Sequence, residues 1–412
     1  MPRMPIFVAL AALAVQSGGA ARADELAKPL FSFSGFGTVG MTRSSEVQAD
    51  FTSTLLKPNG AGHTRRWSAD VDSRLGGQIT LNATPQLSAV LQVVSEQRDD
   101  NSYRPTVEWA NVRYRATPDI SLRAGRIAMP NFLVADYRKV SYAIPWVRTP
   151  IELYGLVPIT NSDGVDATYR MHLGDVQNTV QASWGKTDVE APGGGTVRVR
   201  HLGGLTNTTE YGFATLRLTY MRADIDIEMT RPLFDGFRQF GPLGAAIADR
   251  YDANGKRADF FAAGASYDPG TWFVMSEYGR IATHSYLGEQ RAWYVSGGLR
   301  RGAWTPYLTY AAIKGLSPMS DPGLPVAALP PAMAPLAFGL NTGLNSLLRR
   351  QATQRNLTAG IRWDFMKNAS LKFQYEHLRL DAGSGGFLIN LQPGFRPGGS
   401  ARVFSAVLDF VF

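Results

Sequence analysis

The sequence predicts an all-β fold, a transmembrane antiparallel β-barrel of about sixteen strands. Three observations lead to this prediction. Apolar and polar residues alternate with a period of two along most of the chain, no run of about 18 apolar residues follows the amino terminus, and short turns alternate with long connections. Because the 412 residues contain no linker and no change in composition, residues 24–412 are predicted to form one barrel domain.

Residues 1–23 are predicted to be a cleaved secretory signal. Arg3 precedes an apolar segment at residues 6–15, and small residues follow up to Ala21-Arg22-Ala23, which has the A-x-A pattern of a cleavage site. Polar residues end the apolar segment well short of the roughly 20 residues that a helical membrane anchor needs. The mature chain would then begin at Asp24.

The alternation is clearest in two segments. At residues 67–81 the odd positions are mostly apolar, whereas the even positions include two Asp, an Arg and a Gln. Residues 357–365 repeat the pattern, with Leu, Ala, Ile, Trp and Phe at the odd positions. A strand between lipid and water has one apolar face and one polar face, and aromatic residues at strand ends are typical of the girdles of membrane barrels.

Connections of two lengths divide these strands, as in barrels with short periplasmic turns and long external loops. Short turns are predicted at residues 83–86, 116–119, 173–175, 267–270 and 367–369, and long loops at residues 43–65, 129–162, 227–256, 316–350 and 382–400. The weakest strands lie near residues 197–205 and 291–301, so fourteen or eighteen strands remain alternatives to sixteen. A barrel of about sixteen strands encloses water, whereas one of about eight is filled by side chains.

Composition and motifs argue against other classes of protein. The chain has no cysteine, and its net charge of +8 comes from scattered basic residues, so neither a thiolate metal site nor nucleic-acid binding is predicted. The five histidines are far apart, and no H-E-x-x-H or G-x-S-x-G motif is present. We therefore predict no enzyme activity, no metal and no cofactor. A hydrolase that joins serine and histidine from distant strands stays a less favoured alternative.

The carboxyl terminus alternates apolar and polar residues up to an aromatic last residue. Phe404, Ala406, Leu408, Phe410 and Phe412 share one predicted face. This segment resembles the last strand of the Gram-negative outer-membrane porins, in which the barrel-assembly machinery reads the final phenylalanine. The resemblance implies an assembly signal at Phe410 and Phe412, the cell outer membrane as the location, and outer-membrane lipid as the surroundings.

Two further segments resemble the trimeric porins. Residues 122–126 end in Gly-Arg, and residues 163–170 begin with Asp-Gly-Val and contain Tyr169. In that family, such strands flank a constriction loop that folds into the barrel, so the resemblance implies this role for residues 129–162. The loop departs from the Pro-Glu-Phe-Gly-Gly pattern of general porins, and carries an aromatic and proline-rich core that we expect to pack on the barrel wall. The resemblance also implies a homotrimer, formed through apolar residues such as Phe31, Phe33 and Val39.

Basic side chains with inward parity are the candidates for ion selectivity, because charges at a narrow, low-dielectric passage act strongly on a passing ion. They resemble the arginine wall of porins, and we expect them near mid-height. The wall candidates are Arg74, Arg113, Arg115, Arg123, Arg126 and Arg170, and the constriction loop adds both acidic and basic candidates, Asp136, Arg138, Lys139, Arg148 and Glu152. Its aromatic core, Tyr142, Trp146 and Tyr154, is an alternative stacking surface for a sugar or an aromatic acid. Alternatively, the arginines only pair with carboxylates such as Asp70, Asp72 and Glu96.

The function that the resemblance implies is passive diffusion of small hydrophilic solutes and ions through a water-filled channel. The inward arginines predict a weak preference for anions, which an Arg123→Glu change should shift towards cations. A non-conducting barrel that serves adhesion or structure is the alternative.

Overall fold

The computed structural model describes residues 29–412, so the predicted signal at residues 1–23 lies outside the described part. One antiparallel sheet of sixteen long strands closes into a barrel, because β1 pairs with β2 on one side and with β16 on the other. Closure satisfies the backbone amides that an open edge would expose to lipid. The predicted fold class is confirmed. The strands are β1 (Phe31–Ser44), β2 (Arg74–Asn82), β3 (Leu87–Glu96), β4 (Thr106–Arg115), β5 (Ile120–Ala128), β6 (Asn161–Leu173), β7 (Val176–Glu190), β8 (Thr196–Tyr211), β9 (Ala214–Ile227), β10 (Lys256–Tyr267), β11 (Trp272–Thr283), β12 (Glu289–Leu299), β13 (Trp304–Gly315), β14 (Gln354–Met366), β15 (Ala369–Leu380) and β16 (Ser400–Val411).

Short turns join the strands at one end of the barrel, the turn end, and the long connections lie at the other, the loop end. The five predicted turns and five predicted loops are confirmed, and the structure adds turns such as residues 212–213. Gly174 and Gly212 have φ angles of 61° and 55° in two-residue turns. Tight hairpins need this left-handed backbone, which glycine adopts without strain.

Four helices lie in the long connections. The inward loop, residues 129–160, contains α1 (Ile151–Tyr154). Helices α2 (Arg231–Arg238) and α3 (Gly241–Tyr251) follow β9, and α4 (Ala334–Leu348) precedes β14. Phe234, Phe237, Leu340 and Leu344 are among the residues of an apolar core that joins α2 to α4. No helix within residues 29–412 is long and apolar enough to cross a membrane.

The strand predicted at residues 67–81 was wrong in its first half. Trp67–Ser68 is a separate two-residue strand that pairs with β1, and β2 begins only at Arg74. Residues between them turn inwards because buried Lys57 donates from Nζ to the carbonyl oxygens of Asp70 and Val71, at 2.5 and 3.0 Å. These contacts bury Val71, which the alternation alone would expose to lipid.

Outward side chains form an apolar band with aromatic residues at both ends. At the turn end, Trp304 and Trp363 stack with ring centroids 5.1 Å apart, and Tyr267 lies 5.3 Å from Trp272. At the other end, Trp293 and Tyr310 lie 5.5 Å apart. Two aromatic girdles that flank an apolar band are typical of barrels that cross a lipid bilayer.

Two adjacent glycines of β2 offer a matched test of the barrel wall. A Cβ at Gly76 would lie 2.2 Å from the ring of buried Phe36, whereas a Cβ at Gly77 would meet nothing within 4 Å. We expect Gly76→Ala to lower the free energy of unfolding by about 1–3 kcal/mol through overpacking. Gly77→Ala should be neutral or stabilising by up to about 1 kcal/mol. Urea unfolding of the two refolded variants in detergent checks this, and equal midpoints would contradict the predicted contact.

Candidate functional site

The inward loop enters the lumen and packs on the inner face of β8 to β13. Its aromatic core makes this contact: Trp146 Nε1 donates to Ser296 Oγ at 2.8 Å and Tyr154 donates to Glu277 at 2.8 Å. Apolar residues of both surfaces, including Phe132 and Phe260, form one buried cluster. The expectation that the aromatic core packs on the wall is confirmed. It is also a correction for Trp146, which is 1% exposed and cannot line the passage.

Arg148 joins the inward loop to three parts of the wall. Its guanidinium lies 2.6 Å from Asp72 Oδ2 and 2.5 Å from Glu376 Oε2, and Nη2 donates to Ser405 Oγ at 2.6 Å. Burial alone would lower the pKa of Arg148, but the carboxylates of Asp72 and Glu376 raise it overall. Its side chain is 4% exposed. Arg148 is therefore an anchor of the loop, and not the solute-facing charge that the sequence suggested.

Two cations on the wall hold the middle of the loop through its backbone. Lys372 Nζ donates to the carbonyl oxygens of Ser141, Ile144 and Trp146 at 2.6 to 2.9 Å. Arg362 lies opposite Lys372 in the sheet register and donates to the carbonyl oxygen of Tyr142. The sequence analysis missed both. The sequence could have indicated their role, because Arg362 and Lys372 are two inward cations in adjacent strands. Such cations repel each other unless hydrogen-bond acceptors lie between them.

Glu152 is a second loop candidate that faces away from water. Gln354 Nε2 donates to its Oε1 at 2.7 Å, while Oε2 has no hydrogen-bond partner among residues 29–412. Burial raises the pKa of Glu152 to about 7, and like-charge repulsion from Glu376 adds to the shift. The sequence suggested a loop charge here. The structure instead gives a buried carboxyl that is largely protonated below neutral pH.

Glu152→Gln should flatten the dependence of stability on pH. Because the pKa of Glu152 is higher in the folded chain than in the unfolded chain, its protonated form stabilises the folded state. This stabilisation is complete below the ordinary pKa of 4.5 and is lost as the pH rises through about 7. Since one pKa unit corresponds to about 1.4 kcal/mol, the variant should be spared a loss of a few kcal/mol between about pH 5 and 8. Urea midpoints at both pH values check this, with the exposed turn variant Asp119→Asn as control. The prediction fails if the urea midpoints of the Glu152→Gln variant and of the native chain change equally between the two pH values.

A cavity of about 540 Å³, the vestibule, lies between the inward loop and strands β2 to β7. Lys139 lines the vestibule on the side of the inward loop, and its Nζ atom lies 2.7 Å from a carboxylate oxygen of Glu96 and of Glu108. Arg138 donates to the carbonyl oxygen of Ile159 at 2.6 Å. Glu96 and Glu108 thus share one cation, whereas Glu190, which also lines the vestibule, has no cation within 4.0 Å among the described residues. Within residues 29–412 no three His, Asp or Glu side chains are placed to hold a metal ion.

The predicted wall divides into paired and unpaired arginines. At the loop end, Arg74 lies 3.8 Å from Glu96 and Arg126 lies 2.7 Å from Asp163. Arg123 contacts Asp166 at 2.6 Å. Pairing with carboxylates, the alternative considered from the sequence, therefore holds for these three, although two of the three carboxylates belong to β6.

The basic cluster (Arg113, Arg115 and Arg170) has no carboxylate within 4.0 Å among the described residues, and Nε of Arg170 is buried without a hydrogen-bond partner. Arg113 lies opposite Arg123 in the sheet register. Arg115 ends β4, and Arg170 lies three residues before the end of β6, so the cluster is displaced towards the turn end. The expected position near mid-height was wrong for Arg113 and Arg115, which lie towards the turn end, and for Arg74, which begins β2 at the loop end. On the loop, Asp136 is close enough to interact electrostatically with Arg123.

The last strand places its two candidate signal residues at the turn end. The rings of Phe410 and Phe412 lie over Gly37 and Gly35 of β1, with ring centroids 6.4 Å apart. Phe412 is 71% exposed on the outer face. The predicted outward row is confirmed, while recognition by assembly machinery stays a prediction.

Comparison with known proteins gives one family and several similar folds. Residues 9–386 match the Gram-negative porin family. The anion-selective porin from Comamonas acidovorans shares 12% identity, with a TM-score of 0.53 over 93% of this chain and 99% of that one. Salmonella typhi OmpF, in complex with daunomycin, shares 13% identity, with a TM-score of 0.54 over 93% and 97%. Vibrio cholerae OmpT shares 10%, with a TM-score of 0.52 over 94% and 99%. None of the curated proteins matches the chain.

Proposed function

Because the chain belongs to the Gram-negative porin family, we propose that it forms a water-filled channel in the cell outer membrane for passive diffusion of small hydrophilic solutes and ions. The closed barrel of sixteen strands supports this proposal, since a barrel of that size encloses more space than its own side chains fill. The vestibule beside the inward loop is the entrance from the loop end. In this reading the chain is not an enzyme.

The channel should prefer anions weakly, and the basic cluster is the observation that carries this proposal. Arg113, Arg115 and Arg170 face the lumen without a neutralising carboxylate within 4.0 Å among residues 29–412. Low-dielectric walls focus the field of such charges on a passing ion. The paired charges of the vestibule contribute less. The Comamonas acidovorans porin that shares this fold is itself described as anion-selective.

Recordings from planar bilayers test both parts of the proposal. The refolded mature chain should give stepwise channels, and its reversal potential in a tenfold KCl gradient should have the sign of anion preference. Clear cation selectivity would refute the anion preference alone. No conductance would favour the adhesion or structural barrel, and ester hydrolysis in detergent would favour the enzyme.

A homotrimer is the assembly that the outer surface supports. Phe31, Phe33 and Val39 of β1 are 52%, 74% and 62% exposed, and the apolar face of β16 lies beside Val39, which is opposite Leu408. The flat apolar surface suits contact with two further copies. Native gel migration before and after boiling tests the trimer. Folding assays with assembly machinery and a Phe412→Ala variant test the terminal signal.

A further inference from the structure

Three cations lie side by side on the outer face of the barrel, at the loop ends of β11, β12 and β13. Arg280 is directly opposite Arg291 in the sheet register, and Arg291 is directly opposite Lys314. The two arginine side chains are 46% and 50% exposed, and Lys314 is also exposed. Like charges at opposed positions destabilise a sheet. This row therefore requires negative charge nearby.

Glu289 supplies only part of that charge. Its Oε1 atom lies 2.8 Å from Arg280 Nε and 3.0 Å from Arg291 Nη2. The side chain of Lys314 has no hydrogen-bond or ion-pair partner among residues 29–412. One carboxylate among three cations leaves two positive charges without compensation from the protein.

The row lies at the level of lipid headgroups if the barrel spans a bilayer. Two residues along the strand towards the turn end stand Tyr278 on β11 and Trp293 on β12, and Tyr310 lies four residues from Lys314 on β13; the three are part of the aromatic girdle at the loop end. Girdles mark the boundary between hydrocarbon and headgroups. Two residues of strand add about 7 Å, which carries the cations beyond the hydrocarbon.

The nearby strands β8 and β9 have a different charge pattern at their loop ends. There, cations on β8 and β9 each have a carboxylate: Arg198 contacts Glu228, Arg200 contacts Asp188, and Arg222 lies 2.7 Å from Asp259. Arginines that simply reach the membrane surface thus occur here with protein partners. Arg379 of β15 and Arg402 of β16 are also exposed at the loop end without a carboxylate within 4.0 Å among residues 29–412, but the row on β11 to β13 differs from these in that its three cations lie directly opposite one another.

We infer that Arg280, Arg291 and Lys314 bind the phosphate of a membrane lipid in the leaflet at the loop end of the barrel. A phosphate monoester carries about two negative charges near neutral pH, which matches the two uncompensated positive charges. Arginine forks bind phosphate oxygens in pairs, and the exposed apolar wall at Val295 and Leu308 lies below for the acyl chains. This inference rests on the proposed membrane location.

Binding of a diglucosamine lipid with two phosphate monoesters to the detergent-solubilised full barrel, measured by native mass spectrometry, tests the inference. The variant Arg280→Gln/Arg291→Gln/Lys314→Gln should bind this lipid roughly tenfold more weakly than the native chain. The variant Arg198→Gln/Arg200→Gln/Arg222→Gln, matched in charge and level, should bind it as the native chain does. The dephosphorylated lipid should bind weakly to all three.

Equal binding by the two triple variants, or equal binding of the dephosphorylated lipid, would overturn the inference. So would full displacement of the lipid by inorganic phosphate, because the site would then serve a free anion. Bilayer conductance separates this result from the proposed function. The β11 to β13 variant should conduct as the native chain does because its changes lie outside the lumen, whereas failure of every variant and the native chain to conduct would refute the channel.

Discussion

Arg148→Met should lower the free energy of unfolding by about 3–5 kcal/mol. The change removes the guanidinium that lies between Asp72 and Glu376, both almost fully buried, and leaves two carboxylates without their cation. Unpaired buried charges cost far more than an ion pair contributes. Urea unfolding of the refolded barrel measures the loss. We also expect noisier single-channel currents, because the loop loses the contacts that Arg148 makes with Thr42 of β1, Glu376 of β15 and Ser405 of β16, and is held on this side only by contacts such as those of Lys372.

Two controls make the interpretation specific. Arg104→Met removes an ion pair with Asp100 at a side chain that is 73% exposed, so stability should change by no more than about 0.5 kcal/mol. Adding Asp72→Asn and Glu376→Gln to Arg148→Met should restore much of the stability, since no buried charge then remains unpaired. If the urea midpoint of the Arg148→Met variant equals that of the native chain, the contacts of Arg148 with Asp72 and Glu376 do not anchor the loop.

Arg113→Glu combined with Arg170→Glu should reverse the ion preference of the channel. Each substitution changes the local charge by two units, and a unit charge about 8 Å away is worth about 0.5 kcal/mol in water. After screening by salt, the anion-to-cation permeability ratio should fall by roughly tenfold. The reversal potential in a KCl gradient measures this change.

The double variant is a better probe than Arg123→Glu, which the sequence alone suggested. Asp166 beside Arg123 has a fully buried side chain, so a glutamate there would create a buried repulsive pair and destabilise the barrel. Arg104→Glu with Arg250→Glu gives the same charge change on exposed loops, and should leave selectivity unchanged. If both double variants shift the reversal potential equally, the basic cluster does not set selectivity.

The sequence predicted the strands correctly wherever a strand keeps one apolar face and one polar face. β14 and β16 are examples, and their outward rows appear as expected. It was weakest near residues 197–205 because β8 has a bulge between Arg200 and Gly203. The extra residue exchanges the inward and outward faces, so Val199 and Leu202 both point inwards despite their odd spacing. A single period cannot describe such a strand.

The candidate site was predictable only in part, because partners come from distant segments. The alternation of side chains along a strand predicted that Arg113, Arg115 and Arg170 face the lumen, because that orientation depends only on their position within the strand. It could not assign Arg148 to Asp72 and Glu376, which lie 76 and 228 residues away in sequence. Nor could it show that Glu152 is buried, since burial depends on how the loop packs on the wall.

The apolar contact between the inward loop and β8 to β13 has a consequence before the barrel forms. Consecutive residues such as Phe260 and Phe261, or Phe273 and Val274, are apolar because one packs on the loop and the other meets lipid. If the chain is exported as proposed, this half exposes β-prone segments that carry few charges on either face while the chain is unfolded in water, and such segments aggregate readily. We therefore expect the second half of the chain to depend most on periplasmic holdase chaperones during transit.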